Sequence, residues 1–356
     1  MFSERLTKVY RKIGCKMILP MQILLTLLVH LFSASVVSSQ PDHIIVKECK
    51  HGQFLLSTMD NHVSAHLLRY GEWAERELQL FLSVVKPGDI VLDVGANIGA
   101  FTVPLAKAVG PYGRVYAFEP QRVIFQRMNA NVALNGLSNV HTFLAAVGSE
   151  RGTLKVPSID YSVAANFAAV SLADQSVFSS LMHEIVPVLA LDALFLAESE
   201  HGNTCPSFIK VDVELMEQYV LEGARQLLQR CQPILYLENP CVMTSLPLVE
   251  LLYELNYTPF WDVQPSFNID NYAKSINNFA PNQYAINTIG VPNSRLKGTQ
   301  ENANIGSAAR NEVAMVNFVR IEKDRPFLYD YFDGRYAQSG NLTSCGDTGN
   351  TYVDSM

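Results

Sequence analysis

The chain has 356 residues, 48% of them hydrophobic and 17% charged, which is apolar enough for a sizeable core and too apolar for a disordered chain. Its 20 Gly and 17 Pro exclude collagen-like and low-complexity sequences. A net charge of −7 argues against a sequence-independent nucleic-acid binder, which needs a basic surface, so no nucleic acid is expected as a partner.

The charge is unevenly placed. The first 16 residues carry a net +4, residues 17–40 carry no Asp, Glu, Lys or Arg, and the remainder carries −11. A basic arm followed by the Leu- and Ile-rich run Met17–Leu31 reads as a secretory signal or a signal anchor. Taken as Met17–Val37, the run is long enough to cross a bilayer as a helix. Val37-Ser38-Ser39 before Gln40 offers small residues for cleavage, whereas the long basic arm suits an uncleaved type II anchor with its basic end in the cytosol. Either reading separates residues 1–40 from the folded body. The protein is then expected in the secretory pathway, as a single-pass membrane protein or secreted into a lumen. Asn341-Leu342-Thr343 and Asn256-Tyr257-Thr258 are N-glycosylation sequons. Cys15 lies in the leader, leaving Cys49, Cys205, Cys231, Cys241 and Cys345. An odd number means that at least one thiol is free or pairs between chains. No CxxC occurs, so a structural zinc framework is not expected.

After a lead-in over residues 41–74, short apolar runs alternate with helical patterns, the signature of βαβ units and a parallel sheet. Lys86-Pro87-Gly88-Asp89 is a turn. Asp89–Gly95 is a first strand, rich in Val, Ile and Leu as in a sheet buried on both faces. Ile98–Val109 reads as a helix, Arg114–Pro120 as a second strand, and Arg122–Asn135 as a helix with Gly136 past its end. Asn139–Gly148 reads as a third strand and Gly152–Val156 as a short hairpin strand. Residues 158–190 are Ala- and Ser-rich and read as an irregular insertion, with a strand near Val186–Leu189. Phe208–Val213 is the next strand, followed by a helix through Arg230. Pro233–Glu238 is a strand, Pro247–Leu255 a helix, and Thr258–Asp262 a strand beside Tyr284–Val291, across an Asn-rich loop. The domain ends near residue 292. Residues 293–356 form an extension with one further strand near Val313–Ile321 and a polar tail from Gln338.

Asp93-Val94-Gly95-Ala96-Asn97-Ile98-Gly99 falls where the first strand gives way to a helix. Gly95 lets the backbone turn sharply, and Gly99 lets the helix approach the sheet and a ligand closely. The spacing is not the dinucleotide pattern GxGxxG. An acid two residues before the first Gly repels a pyrophosphate but suits a cationic ligand such as S-adenosylmethionine (SAM). Glu119 ends the next strand, where an acid can accept hydrogen bonds from both ribose hydroxyls of an adenosyl group.

With these residues the sequence resembles the FkbM-type SAM-dependent methyltransferases. The resemblance rests on Gly71-Glu72-Trp73, Lys86–Asp89, Asp93–Gly99, Tyr116–Gln121, and Asn131 through Asn139-Val140. It continues through Ala145–Gly148, Leu191-Asp192, Phe208–Glu214, Leu221–Ala224 and Glu238, and so covers about residues 70–292 in order. It implies a class I, Rossmann-like α/β fold: a seven-stranded, mostly parallel sheet with one antiparallel strand and helices on both faces. It also implies O-methylation of a sugar, glycan or natural-product hydroxyl. The family usually has Gly directly after the Asp-x-Glu of the fourth main strand. Leu215 stands there, which reshapes the acceptor pocket or marks a member that binds SAM without turnover.

On this reading Gly95, Ala96, Asn97 and Gly99 shape the SAM loop, Asp93 contacts the amino-acid end, Glu119 holds the ribose, and Ala146-Val147 flank the adenine. Glu72 either closes over the cofactor or is a solvated helix start. Methyl transfer is an in-line displacement that depends on positioning. A sugar hydroxyl is a weak nucleophile, so a base or a metal should help remove its proton. Asp212 or Glu214 is the candidate base, with Lys210 orienting the pair. The two acids can also hold Mg²⁺, with Glu238 as a third, and the metal question stays open. Asp192 is expected to end a strand near the site. His62 and His66 have the i, i+4 spacing of a zinc pair but no evident third ligand, so a satisfied or surface pair is expected. The rival functions are a catalytically inactive SAM-fold interaction module and a nucleotide-dependent oxidoreductase.

Overall fold

A computed structural model describes residues 43–170, 172, 182–196, 204–281, 283–296 and 318–323. The leader, Cys15, Cys345, the Asn341 sequon and the tail from Gln338 lie outside the described residues. Among the described residues no helix is long and apolar enough to cross a membrane.

The strands are β1 (Ile44–Cys49), β2 (Gly52–Ser57), β3 (Ile90–Val94), β4 (Arg114–Phe118), β5 (Val140–Phe143), β6 (Ala146–Val147), β7 (Gly152–Pro157), β8 (His183–Leu189), β9 (Phe208–Val211), β10 (Ile234–Glu238), β11 (Tyr257–Pro265), β12 (Tyr284–Pro292) and β13 (Val319–Arg320). The helices are α1 (Val63–Tyr70), α2 (Glu75–Val84), α3 (Thr102–Val109), α4 (Arg122–Leu134), α5 (Leu191–Phe195), α6 (Glu217–Glu222), α7 (Arg225–Cys231), α8 (Val242–Glu254) and α9 (Asn293–Leu296).

The main sheet runs β13-β11-β12-β10-β9-β3-β4-β5. The pairs β5–β4, β4–β3, β3–β9 and β9–β10 are parallel, and β12 is antiparallel to both β10 and β11. This is the doubly wound order expected, corrected in one respect. The sheet has eight strands, because β13 adds antiparallel to the outer edge of β11. The four-residue to five-residue parallel strands read as continuous apolar runs because both sheet faces are covered. On one face Leu92, Ile209 and Leu235 pack with Val220, Leu228, Leu248 and Leu252 from α6–α8. On the other face Val91, Phe208 and Tyr236 pack with Leu78 and Phe81 of α2 and Leu105 and Val109 of α3.

Several boundaries differ from the sequence expectation. The region expected as one strand over 139–148 divides. β5 belongs to the main sheet, and β6 joins β8 and β7 in a separate three-stranded sheet. The helix expected from Ile98 begins at Thr102, because Asn97 and Gly99 hold left-handed φ values of +51° and +83° that no α-helix continues. The helix expected through Arg230 breaks into α6 and α7 at Gly223-Ala224. Pro247, expected to open a helix, lies inside α8. The lead-in is structured: Phe54, Leu56, Val63 and Leu67 share a core with Ile98, Val103 and Ile124. Cys205 and Cys231 form a disulfide, and Cys241 is also disulfide-bonded. Cys49 is a buried free thiol, raised to about 11 by burial.

Candidate active site

The chain leaves β3 toward β4 and β5 on one side and later crosses back to place β9 and β10 on the other. The carboxyl ends of β4 and β9 therefore flank the crevice where open α/β sheets bind ligands. The loop after β3 fills its floor. Gly95 has φ +76°, and a Cβ there would stand 1.8 Å from the carbonyl oxygen of Asp212, so any side chain would push the loop off β9. The N–H groups of Gly95 and Ala96 both donate to Phe118 O, at 3.0 and 2.9 Å. Asn97 N–H donates to Glu119 Oε2 at 3.0 Å, and Gln121 N–H donates to Glu119 Oε1 at 2.8 Å. Burial raises the Glu119 carboxyl to about 7, opposed by those two N–H groups. Each oxygen keeps a lone pair for a further donor.

Asp93 lies beneath the loop, fully buried. Its Oδ2 accepts from Thr102 Oγ1 at 2.6 Å, and its Oδ1 is 3.4 Å from Lys210 Nζ. The register of β3 on β9 sets Asp93 beside Lys210. Lys210, also buried, donates to Gly95 O at 2.8 Å and lies 3.2 Å from Asp212 Oδ2. Burial pulls its pKa down, but Asp212 and Asp93 more than offset this and hold it above the usual lysine range. One ammonium thus ties together β3, the loop and the end of β9. Asp93 reaches the loop through this layer and not by direct exposure to it.

Asp212, Glu214 and Glu238 converge at the ends of β9 and β10, their nearest carboxylate oxygens all within 4.8 Å of one another. Hard divalent cations take such oxygens. Burial, reinforced by the negative charges of Asp212 and Glu217, raises the Glu214 carboxyl above the usual range. Burial, with the charges of Glu214, Asp212 and Glu217, raises Glu238 well above the usual range. Glu238 Oε2 is enclosed without a hydrogen-bond partner. The turn carrying Glu214 is left-handed at two successive residues, Glu214 at φ +53° and Leu215 at +75°. Glu217, which sequence reasoning passed over, accepts from Val213 N–H at 3.0 Å and closes that turn.

Other expected residues sit apart from this cluster. Glu72 accepts from Asn268 Nδ2 at 2.7 Å and from Tyr272 N–H at 2.8 Å, and pins the β11–β12 loop to the start of α2. Asp192 accepts from Gln226 and Leu227 N–H at 3.0 and 2.8 Å. It caps the exposed donors of α7 and ends no strand. Ala146 and Val147 are buried in β6, with Val147 in the core beside Phe118. Trp73 packs edge-on against His62 and His66, with ring centroids 4.9 Å away in each case. Trp261 is a core residue beside Val249 and Ile286.

The family model of the methyltransferase FkbM domain matches residues 93–279. A ribosomal protein L11 methyltransferase of Caldanaerobacter subterraneus subsp. tengcongensis is 31% identical over 121 residues, 34% of this chain and 35% of that one. A tRNA(Phe) aminocarboxypropyltransferase of Methanocaldococcus jannaschii is 39% identical over 75 residues, 21% of this chain and 29% of the relative. The chain thus spans about a third or less of the length of these curated relatives. The crystal structure of methyltransferase FkbM from Methylobacillus flagellatus KT is 18% identical, with a TM-score of 0.34, covering 60% of this chain and 50% of that one. One of these relatives is named for a protein and another for an RNA. The expectation that no nucleic acid is a partner, drawn from net charge, therefore finds no support among them.

Proposed function

The chain belongs to the FkbM methyltransferase family, and from that premise we propose that it transfers a methyl group from SAM to a hydroxyl of a sugar, glycan or related small molecule. The observation that carries this reading is the clasp of Glu119 on Asn97, over a loop pressed against Asp212. It sets a loop opened by two glycines beside a carboxylate with free lone pairs, which fits an adenosyl group. SAM supplies an electrophilic methyl on a sulfonium, and the residues of the site do the rest. Glu119 receives the ribose hydroxyls. Lys210 fixes Asp212, and Asp212 with Glu214 orients the acceptor hydroxyl toward the methyl, so the in-line geometry is prepaid by the fold. Family membership leaves the oxidoreductase reading without support.

Glu119→Ala should weaken SAM binding by the full chain tenfold or more in calorimetric titration, and unchanged affinity would remove Glu119 from the ribose. Leu215 supports the second reading, a binding module without turnover. SAM binding with no methyl-mass increase in any glycan or small molecule of cells making the protein would favour it. The Cys205–Cys231 disulfide supports an oxidising address such as the secretory pathway, in line with the basic-then-apolar leader.

A further inference from the structure

The insertion after β7 belongs to no layer of the main sheet, yet it reaches the site. Residues 158–170 form neither helix nor strand, and they are tied down at several points. Ala165 exchanges backbone hydrogen bonds with the segment before α1. Its N–H donates to Met59 O and its carbonyl accepts from Asn61 N–H, both at 3.0 Å. Phe167 is buried in the core that holds Phe54, Ile98 and Ile124. Ile98 belongs to the loop after β3, so the insertion and that loop share one core.

The insertion meets the site at Gln121, two residues past Glu119. Gln121 N–H donates to Glu119 Oε1 at 2.8 Å. Its side-chain Nε2 donates to Phe167 O at 2.9 Å, and its Oε1 accepts from Tyr161 OH at 3.2 Å. These bonds fix which way the amide faces, since a carbonyl oxygen such as Phe167 O can only accept. Tyr161 meets Phe167 edge-on with ring centroids 5.0 Å apart. The Arg127 guanidinium from α4 lies 5.3 Å from the centre of the Tyr161 ring and 5.7 Å from that of Phe167, within reach of cation–π attraction. Burial raises the Tyr161 phenol to about 12, and the charge of Glu119 adds to this, so the hydroxyl remains a donor at neutral pH. Glu119, Gln121 and Phe167 are all buried, so the carboxylate and the amide that braces it are shielded from bulk water.

We propose that Gln121 is a positioning residue for the cofactor, acting through Glu119 by clamping the insertion onto the turn after β4. This rests on the reading of Glu119 as the ribose ligand. Gln121 joins two anchors. Its backbone N–H orients Glu119 Oε1, and its side chain holds Tyr161 and Phe167. With the clamp in place the backbone at residue 121 is fixed, so the carboxylate needs no reordering when the ribose arrives. Restricted water access also strengthens each hydrogen bond that the ribose makes. Without the Gln121 amide the insertion loses two bonds to this turn, and water competes for Glu119. Tyr161 belongs to the same device, one bond further out.

Binding of SAM to the full chain, read by calorimetric titration, separates this role from a purely structural one. Gln121→Met keeps the side-chain length and the backbone N–H, and Tyr161→Phe removes only the hydroxyl. Gln121→Met should weaken SAM binding about fivefold and Tyr161→Phe about threefold, as the loss of one or two hydrogen bonds allows. The same substitutions added to Glu119→Ala should change SAM affinity by less than about 1.5-fold, because a residue acting through Glu119 then has nothing to position. Equal losses in both backgrounds, or no loss in the parent, would overturn the role of Gln121 and leave the ribose assignment standing. Where Gln121→Met does not fold, Tyr161→Phe carries the comparison, since its ring stays in the core. Where Glu119→Ala binds too weakly to titrate, Glu119→Asp closes the cycle, its shorter side chain withdrawing the carboxylate from Gln121 N–H. A parent that does not bind SAM, or a Glu119→Ala variant of unchanged affinity, would overturn the ribose assignment and this proposal together.

Discussion

Leu215 stands where the sequence resemblance leads one to expect glycine, and its backbone shows what leucine costs there. At φ +75°, after Glu214 at +53°, it holds a conformation that disfavours any residue with a Cβ by about 1–2 kcal/mol, and glycine adopts it freely. Such strain persists where surrounding structure over-determines it, which is common at functional sites. Leu215→Gly should therefore raise stability by about 0.5–1 kcal/mol after loss of its partly buried side chain. The reading is a higher urea midpoint with an unchanged slope. Leu215→Ala should show no gain, and a midpoint no higher for the glycine variant would mean that leucine packing outweighs the strain. The departure itself was legible in the sequence, because a family pattern names the position. Its sign of φ was not, because leucine, unlike glycine, does not announce a left-handed turn. The same limit hid the role of Asp93. The motif marked the residue, but only the strand register showed that Lys210 and Thr102 enclose it.

Among the elements, β3 and β9 depend on each other through one buried cation. Asp93 and Lys210 are register neighbours on the face toward α2 and α3, and alternation places Asp212 on the same face at the strand's end. Removing Lys210 leaves the buried Asp93 without its cation, with Thr102 as its side-chain donor among the described residues. Breaking one side of a buried pair costs about 3–5 kcal/mol, whereas removing both charges can be nearly neutral. Lys210→Met should lose stability in that range by urea unfolding, and Lys210→Met with Asp93→Asn should recover most of it. If the double variant loses as much as the single one, the lysine contributes through Gly95 O and Asp212 rather than through Asp93. The strands themselves were legible, since buried parallel strands are short unbroken apolar runs bounded by turns. The helix starts were less so. Pro247 looked like a first-turn proline, yet α8 begins at Val242. The apparent helix from Ile98 yields four residues to the loop that the site needs.

At the scale of the molecule, the alternation of strands and helices gave the doubly wound order, but not the pieces outside that rhythm. β1, β2 and α1 precede the family match and follow no βαβ spacing, yet their side chains complete the core behind the loop that follows β3. The cysteines were countable but not pairable, because pairing depends on which chain ends the fold brings together. The Cys205–Cys231 bridge joins the residues just before β9 to the end of α7, a separation of 26 residues. Within that span lie Lys210, Asp212, Glu214, Leu215 and Glu217. The unstable features of the site, two left-handed residues and a knot of carboxyls, are thus enclosed in a short cross-linked segment. Closing a loop of that length restrains the unfolded chain by about 3.5 kcal/mol. Replacing both cysteines by serine should lower unfolding free energy by about 3 kcal/mol in urea melts, and the parent in reductant should lose at least as much, because Cys241 is bridged too. A loss below about 1 kcal/mol would mean that the parallel pairing of β9 with β3 and β10 confines the segment without the cross-link. A loss near 3 kcal/mol would identify the bridge as what allows a strained, acid-rich turn to persist at the end of β9.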